Sequence, residues 1–168
     1  PVADIGAGTG KLTKLLAQHS LAVSAVEPNN NMRILGEKNT KGMNISWSEG
    51  IGEDTKLRKQ SFHSVFFGSS FNVTDQLKTL NEVKRILIPN GWFICMWNHR
   101  DLNDPIQKTI EKIIHKFIPN YDYGTRRQEP SKVIELSGHF EPAQKIEQRF
   151  VVRMAQEDIV QAWRSHDT

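Results

Sequence analysis

One cysteine, Cys95, stands in a chain of 168 residues, so no disulfide can form within it. No apolar run approaches the roughly 20 residues that a membrane-spanning helix requires, and no secretory leader pattern opens the chain. Charge of one sign is not in excess either: 22 basic residues face 19 acidic ones, a net charge of +3. That balance is too mild for a nucleic-acid surface, and the cluster Lys56, Arg58, Lys59 reads as a solvated loop. The six histidines show no metal-ligand spacing, so no metal is expected. Internal repeats, low-complexity tracts and domain linkers are missing too. What remains is one globular domain over residues 1–168, in a reducing cytoplasm, with neither membrane nor nucleic acid as partner and with no indication of oligomeric state. The first residue is Pro1 rather than Met, directly ahead of a strand pattern, so a fragment is expected.

Short β-rich apolar runs alternate with amphipathic ones. "VADI", "LAVSAV", "NISW", "SVFFG" and "GWFICMW" read as strands, the last two apolar enough to be buried on both faces. Within "GWFICMW", Cys95 is expected as a buried structural thiol. "KLTKLLAQH" and "NMRILGEK" read as helices. So does "DQLKTLNEVKRILIP", where Asp75 serves as N-cap, Pro89 as stop, and Leu77, Leu80, Val83 and Leu87 as the apolar face. In "DPIQKTIEKIIHKF", Asp104 caps, Pro105 takes the first position, and Ile106, Ile110, Ile113, Ile114 and Phe117 form the stripe. Residues 118–132 are irregular. In "KIEQRFVVRM", Ile146, Phe150, Val152 and Met154 recur at period two, as in a half-exposed antiparallel edge strand, and "EDIVQAW" reads as a final helix. Strands alternating with helices predict a doubly wound α/β sheet, with its ligand beyond the carboxyl ends of the strands.

The loop after the first strand is "DIGAGTGKL". Its Gly6, Gly8 and Gly10 match neither the dinucleotide spacing G-x-G-x-x-G/A nor a P-loop, which needs Ser or Thr after the lysine. Asp4, ahead of the loop, would repel a phosphate but suits an ammonium or sulfonium group. Glu27 ends the second strand, where an acid accepts hydrogen bonds from ribose hydroxyls. Together the two acids favour a nucleoside carrying positive charge, a description that S-adenosylmethionine fits.

These motifs resemble, in order and spacing, those of class I S-adenosylmethionine-dependent methyltransferases of the UbiE and trans-aconitate methyltransferase-like group (methyltransferase type 11). "ADIGAGTGKLT" is similar to the first motif of that group and "AVEPNNNMR" to its second-strand acid motif. "EGIGEDTKL" is similar to its adenine-side segment, and "EVKRILIPNGWFICMWNHRD" to its helix, turn and fifth strand. The resemblance implies a Rossmann-like doubly wound, mostly parallel seven-stranded sheet with an antiparallel edge strand, here without the N-terminal lid helices. It also implies that Asp4, Gly6, Ala7, Gly8 and Gly10 surround the methionine part of the cofactor, and that Glu27, with Pro28 and Met32, holds the adenosine. Ile51, Gly52 and Glu53 would meet the adenine edge, and Gly68 and Ser69 the sulfonium side.

The sequence departs from the group in three places. His63 takes an acid position, Pro89-Asn90-Gly91 replaces Pro-Gly-Gly, and Asn72 with Val73 replaces His and Trp where the acceptor should lie. Asn tolerates left-handed backbone, so the turn at Asn90 can survive. Methyl transfer from a sulfonium is an in-line displacement that needs alignment and exclusion of water, and a base only where the acceptor must lose a proton. Asn72, His99 and Arg100 are the candidates for acting on the acceptor, with Tyr121, Tyr123, Arg126 and Arg127 in the irregular segment nearby. The function expected is O- or N-methylation of a small molecule. The alternatives are a methyltransferase-like binding module with impaired catalysis and an NAD-dependent oxidoreductase.

Overall fold

Five short runs of β-branched and aromatic residues form a single sheet in the computed structural model, which describes residues 1–19, 22–122 and 128–164. They are β1 (Val2–Ile5), β2 (Val23–Val26), β3 (Ile45–Ser48), β4 (Phe62–Gly68) and β5 (Leu87–Met96), in the order β3-β2-β1-β4-β5, and every pairing is parallel. The order reverses between β1 and β4, which makes that junction the topological switch point. β1 is buried along its whole length, as a central parallel strand with both faces covered must be.

The sheet corrects the expectation of seven strands with an antiparallel edge. Among the described residues it has five strands, all parallel. Residues 141–155 form no strand, and the side chains whose alternation suggested one stand in solvent, Ile146 at 90% exposure and Phe150 at 65%. The physical reason is that period-two alternation records the chemistry of side chains. A strand exists only as a ladder of backbone hydrogen bonds with a neighbour.

The helices are α1 (Lys11–Gln18), α2 (Asn30–Asn39), α3 (Gln76–Ile86), α4 (Pro105–Phe117), α5 (Ser131–Leu136) and α6 (Gln156–Arg164). Asp75 caps α3 by accepting the Lys78 N–H, and Asp104 caps α4 by accepting those of Ile106 and Gln107. α3 stops at Ile86, before Pro89, and the chain enters β5 at once through a register shift that holds Asn90 at φ 61°. Its buried face is Thr79, Leu80, Glu82, Val83 and Ile86, whereas Leu77, expected on that face, is 53% exposed. No residue of α4 is buried: Ile110 and Ile114 are partly covered, while Ile106, Ile113 and Phe117 stand exposed. α5 falls in a segment without an expected helix and sets Ile134 into the core.

The main core lies under α3. Phe67, Phe71 and Phe93 meet edge to face there, with ring centroids 5.2–5.7 Å apart. On α1, Leu16 packs against Val2 and Val23. The main core holds Ile5, Val26 and Phe67 at the carboxyl ends of β1, β2 and β4, and those ends carry the site; the second cluster packs the amino ends of β1 and β2.

Candidate functional site

A cleft of ≈ 580 Å³ opens over the carboxyl ends of the strands. Its volume falls within the range of small-molecule sites. Each of the first four strands contributes its following loop. Gly6, Ala7 and Gly8 come after β1, Glu27, Pro28 and Met32 after β2, and Ile51, Gly52 and Glu53 after β3; Gly68 and Ser69 end β4. Eleven sequence-predicted residues thus lie in one cleft, while the other two, Asp4 and Gly10, do not line it.

The three glycines of the first loop differ in what requires them. All have positive φ, which L-residues with side chains avoid. A Cβ on Gly6 would lie 2.5 Å from the Ser70 Cβ, because Ser70 crosses beneath the loop and donates its hydroxyl to the Ile5 carbonyl at 2.6 Å. A Cβ on Gly10 would lie 3.1 Å from the Trp47 ring. On Gly8 the nearest atom would be the flexible tip of Met32, at 3.3 Å. Packing within the protein therefore explains Gly6 and Gly10. Gly8 faces the open cleft.

Glu27 clips this loop in place. Its Oε2 accepts the Gly8 N–H at 2.8 Å and its Oε1 the Asn29 N–H at 2.9 Å. Arg33, on α2, donates to the Glu27 carbonyl oxygen at 2.8 Å, and Asn39 donates to the Thr9 carbonyl at 3.0 Å. Beneath the loop, Asp4 is buried and its Oδ2 accepts the Thr13 hydroxyl at 2.6 Å. Its Oδ1 is buried without a hydrogen-bond partner among the described residues. Burial pushes the Asp4 carboxyl up to about 6, hydrogen bonds from Thr13 pull it down, and the charge of Glu27 adds to the rise.

At the other wall, Met32 (41% exposed) and Ile51 (47%) present apolar side chains to the cleft instead of to the core. The turn carrying Ile51 is closed by reciprocal backbone bonds between Ile51 and Asp54, and Glu53 Oε1 accepts the Asp75 N–H at 2.6 Å. Ser69 holds a left-handed φ of 61° as β4 ends, its N–H donating to the Met96 carbonyl.

The candidates for acting on the acceptor are not in the cleft. Asn72 is buried in a 3₁₀ turn (Phe71–Val73), donates to the Gln128 carbonyl at 3.1 Å and accepts from Gln76 at 3.4 Å. His99 and Arg100 follow β5, outside the cleft lining. Tyr121 packs edge-on against His115, 6.3 Å between centroids. Tyr123, Arg126 and Arg127 lie outside the described residues. Cys95 is half-buried, and burial pushes its thiol well up.

Sequence reasoning missed several lining residues, among them Lys11, Ser70, Val73 and Thr74. It also missed the ion pair of Glu82 with Arg85 behind the Ile51 turn. One signal for that pair was legible: Glu82 occupies a buried position of the helical period set by Thr79, Val83 and Ile86.

Comparison with known proteins supplies independent findings. A family model described as methyltransferase domain matches residues 3–95. An uncharacterized methyltransferase of Mycobacterium bovis is 34% identical over 101 residues, covering 60% of this chain and 40% of that protein. A demethylmenaquinone methyltransferase of Staphylococcus saprophyticus is 31% identical over 120 residues, covering 68% of this chain and 51% of the relative. The chain thus spans about half the length, or less, of these curated relatives. In fold it is similar to a glycopeptide N-methyltransferase solved with S-adenosyl-L-homocysteine, with a TM-score of 0.52 and 24% identity over 56% of this chain and 41% of that one.

Proposed function

Because the chain belongs to the methyltransferase domain family, we propose that it binds S-adenosylmethionine in the cleft above β1, β2 and β4 and transfers the methyl group to a small-molecule acceptor. The observation that carries this reading is the pairing of an open Gly8 with two acids, Glu27 in the cleft and Asp4 beneath the loop. The group fits the residues present. Asp4 keeps a buried carboxylate oxygen without a hydrogen-bond partner among the described residues, an acid beneath the glycine loop that suits a cationic ligand above it. Glu27 uses one lone pair of each oxygen on the backbone, so each oxygen can still accept a ribose hydroxyl.

In this reading the glycine loop carries the methionine part, while Glu27 and Pro28 hold the ribose and Met32 and Ile51 flank the adenine. Gly52 and Glu53 meet the adenine edge, and Gly68 and Ser69 border the sulfonium. The bound cofactor would supply a methyl group on a cationic sulfur that departs neutral. The chain's own contribution is to align donor with acceptor and to keep water away from them. Relationship to the demethylmenaquinone methyltransferases is supported by the staphylococcal relative of that name. A cytoplasmic setting belongs to the same reading, supported by a lone cysteine.

A second reading, a cofactor-binding module without acceptor chemistry, is favoured by one observation: Asn72, His99 and Arg100 all lie outside the cleft lining. Incubating the chain with methyl-labelled S-adenosylmethionine and a metabolite extract separates the two. Label in the small-molecule fraction supports the transferase. Cofactor binding with no label transferred supports the module.

A further inference from the structure

The described residues hold one ion pair with a buried carboxylate, Glu82 with the partly exposed Arg85, that the cofactor reading leaves without a task. Glu82, in the middle of α3, is 8% exposed, yet its carboxylate is fully engaged. Its Oε1 accepts the Thr55 N–H at 2.9 Å, the Thr55 hydroxyl at 2.5 Å and Arg85 Nη2 at 2.7 Å, and its Oε2 accepts Arg85 Nε at 2.6 Å. Arg85 reaches on to the Leu57 carbonyl at 2.8 Å, and the Thr55 hydroxyl accepts the Leu57 N–H at 3.2 Å. Burial opposes the charge on Glu82, but the bonds from Arg85 and Thr55 outweigh it and hold the carboxyl below its ordinary range. A carboxylate taken out of water in mid-helix adds little to stability as such, since an apolar side chain could fill the same place. Its partners indicate what it does. Both of its contacts away from α3 are to residues 55–57, the stretch that follows the Ile51–Asp54 turn.

We propose that Glu82 and Arg85 are positioning residues that hold residues 50–57 against α3, so that Ile51, Gly52 and Glu53 stand ready in the cleft before the cofactor arrives. The inference rests on the cofactor reading above. Leu57 packs against the main core at the end of this stretch, and a loop already ordered before binding does not pay its ordering entropy at that step. Here α3 grips the loop at two points. Glu53 accepts the Asp75 N–H at the N-terminus of the helix, and Thr55 is locked by Glu82 two turns on. The fit between them is close. A Cβ on Gly52 would lie 3.0 Å from Thr79 Oγ1 on α3.

The test compares Glu82→Gln, Thr55→Val and Thr55→Ser with the unaltered chain, each below its own unfolding transition. Two quantities are read: affinity for S-adenosylhomocysteine and hydrogen exchange along the chain. Glu82→Gln and Thr55→Val should each weaken affinity about tenfold, with faster exchange confined to residues 50–57. Thr55→Ser, which keeps the hydroxyl, should restore both. If Glu82→Gln does not fold, the two Thr55 variants carry the test. Unchanged affinity in folded variants would overturn this inference alone. So would Thr55→Ser behaving like Thr55→Val. An unaltered chain that does not bind S-adenosylhomocysteine would overturn the cofactor reading, and this inference with it.

Discussion

The carboxylate of Glu27 and the amide of Gly8 stand 2.8 Å apart, joining the end of β2 to the loop after β1 across the floor of the cleft. One acid thus shapes the loop and also lines the cleft. Glu27→Ala leaves the N–H groups of Gly8 and Asn29 without their acceptor and should destabilise the fold by about 1–3 kcal/mol. Affinity for S-adenosylhomocysteine should fall by a similar free energy. Chemical denaturation and calorimetric titration read the two effects separately.

The glycines of the loop should separate into two kinds. Gly6→Ala places a Cβ 2.5 Å from Ser70 in a left-handed backbone and should cost about 2–4 kcal/mol of stability. Gly8→Ala meets only the backbone preference, about 1–2 kcal/mol. Gly8→Val should abolish S-adenosylhomocysteine binding while the sheet remains folded. Circular dichroism together with titration checks the pair. Retained affinity in Gly8→Val would place the ligand elsewhere.

Asp4 gives the fold a pH dependence with a definite sign. Its carboxyl is raised from 3.8 to about 6, so the folded state binds its proton more tightly than the unfolded chain does. The resulting stabilisation is fully present below the unfolded value and is lost as pH rises through about 6. Its size is on the order of 3 kcal/mol. Asp4→Asn removes this contribution, so the difference in stability between variant and native chain should change between pH 4 and 6 and be flat above. Urea denaturation across that range measures it.

Much of this was legible in the sequence. Period and caps located α3 and α4, since Asp75 and Asp104 are local signals acting within one turn. The glycine loop and Glu27 were legible because strand-to-helix turns and strand-end acids occupy fixed places in a doubly wound sheet. Eleven of the thirteen cofactor residues that the resemblance implies line one cleft. The bond from the Thr13 hydroxyl to Asp4, beneath the loop, was not legible, because the sequence shows only an acid beside the glycines. The edge strand at 145–154 failed on partnership, which Ile146 and Phe150 cannot report. Glu82 and Arg85 are three apart on α3, but the contact of Glu82 with Thr55 was missed because residues 27 apart meet only in three dimensions.

The central claim is that the cleft accepts a cationic adenosyl compound and not a dinucleotide. Calorimetric titration of the chain with S-adenosylhomocysteine, and separately with NADH, tests it most directly. Saturable binding of S-adenosylhomocysteine, lost in Gly8→Val, with no heat from NADH, is the predicted result. Binding of NADH without S-adenosylhomocysteine would contradict it.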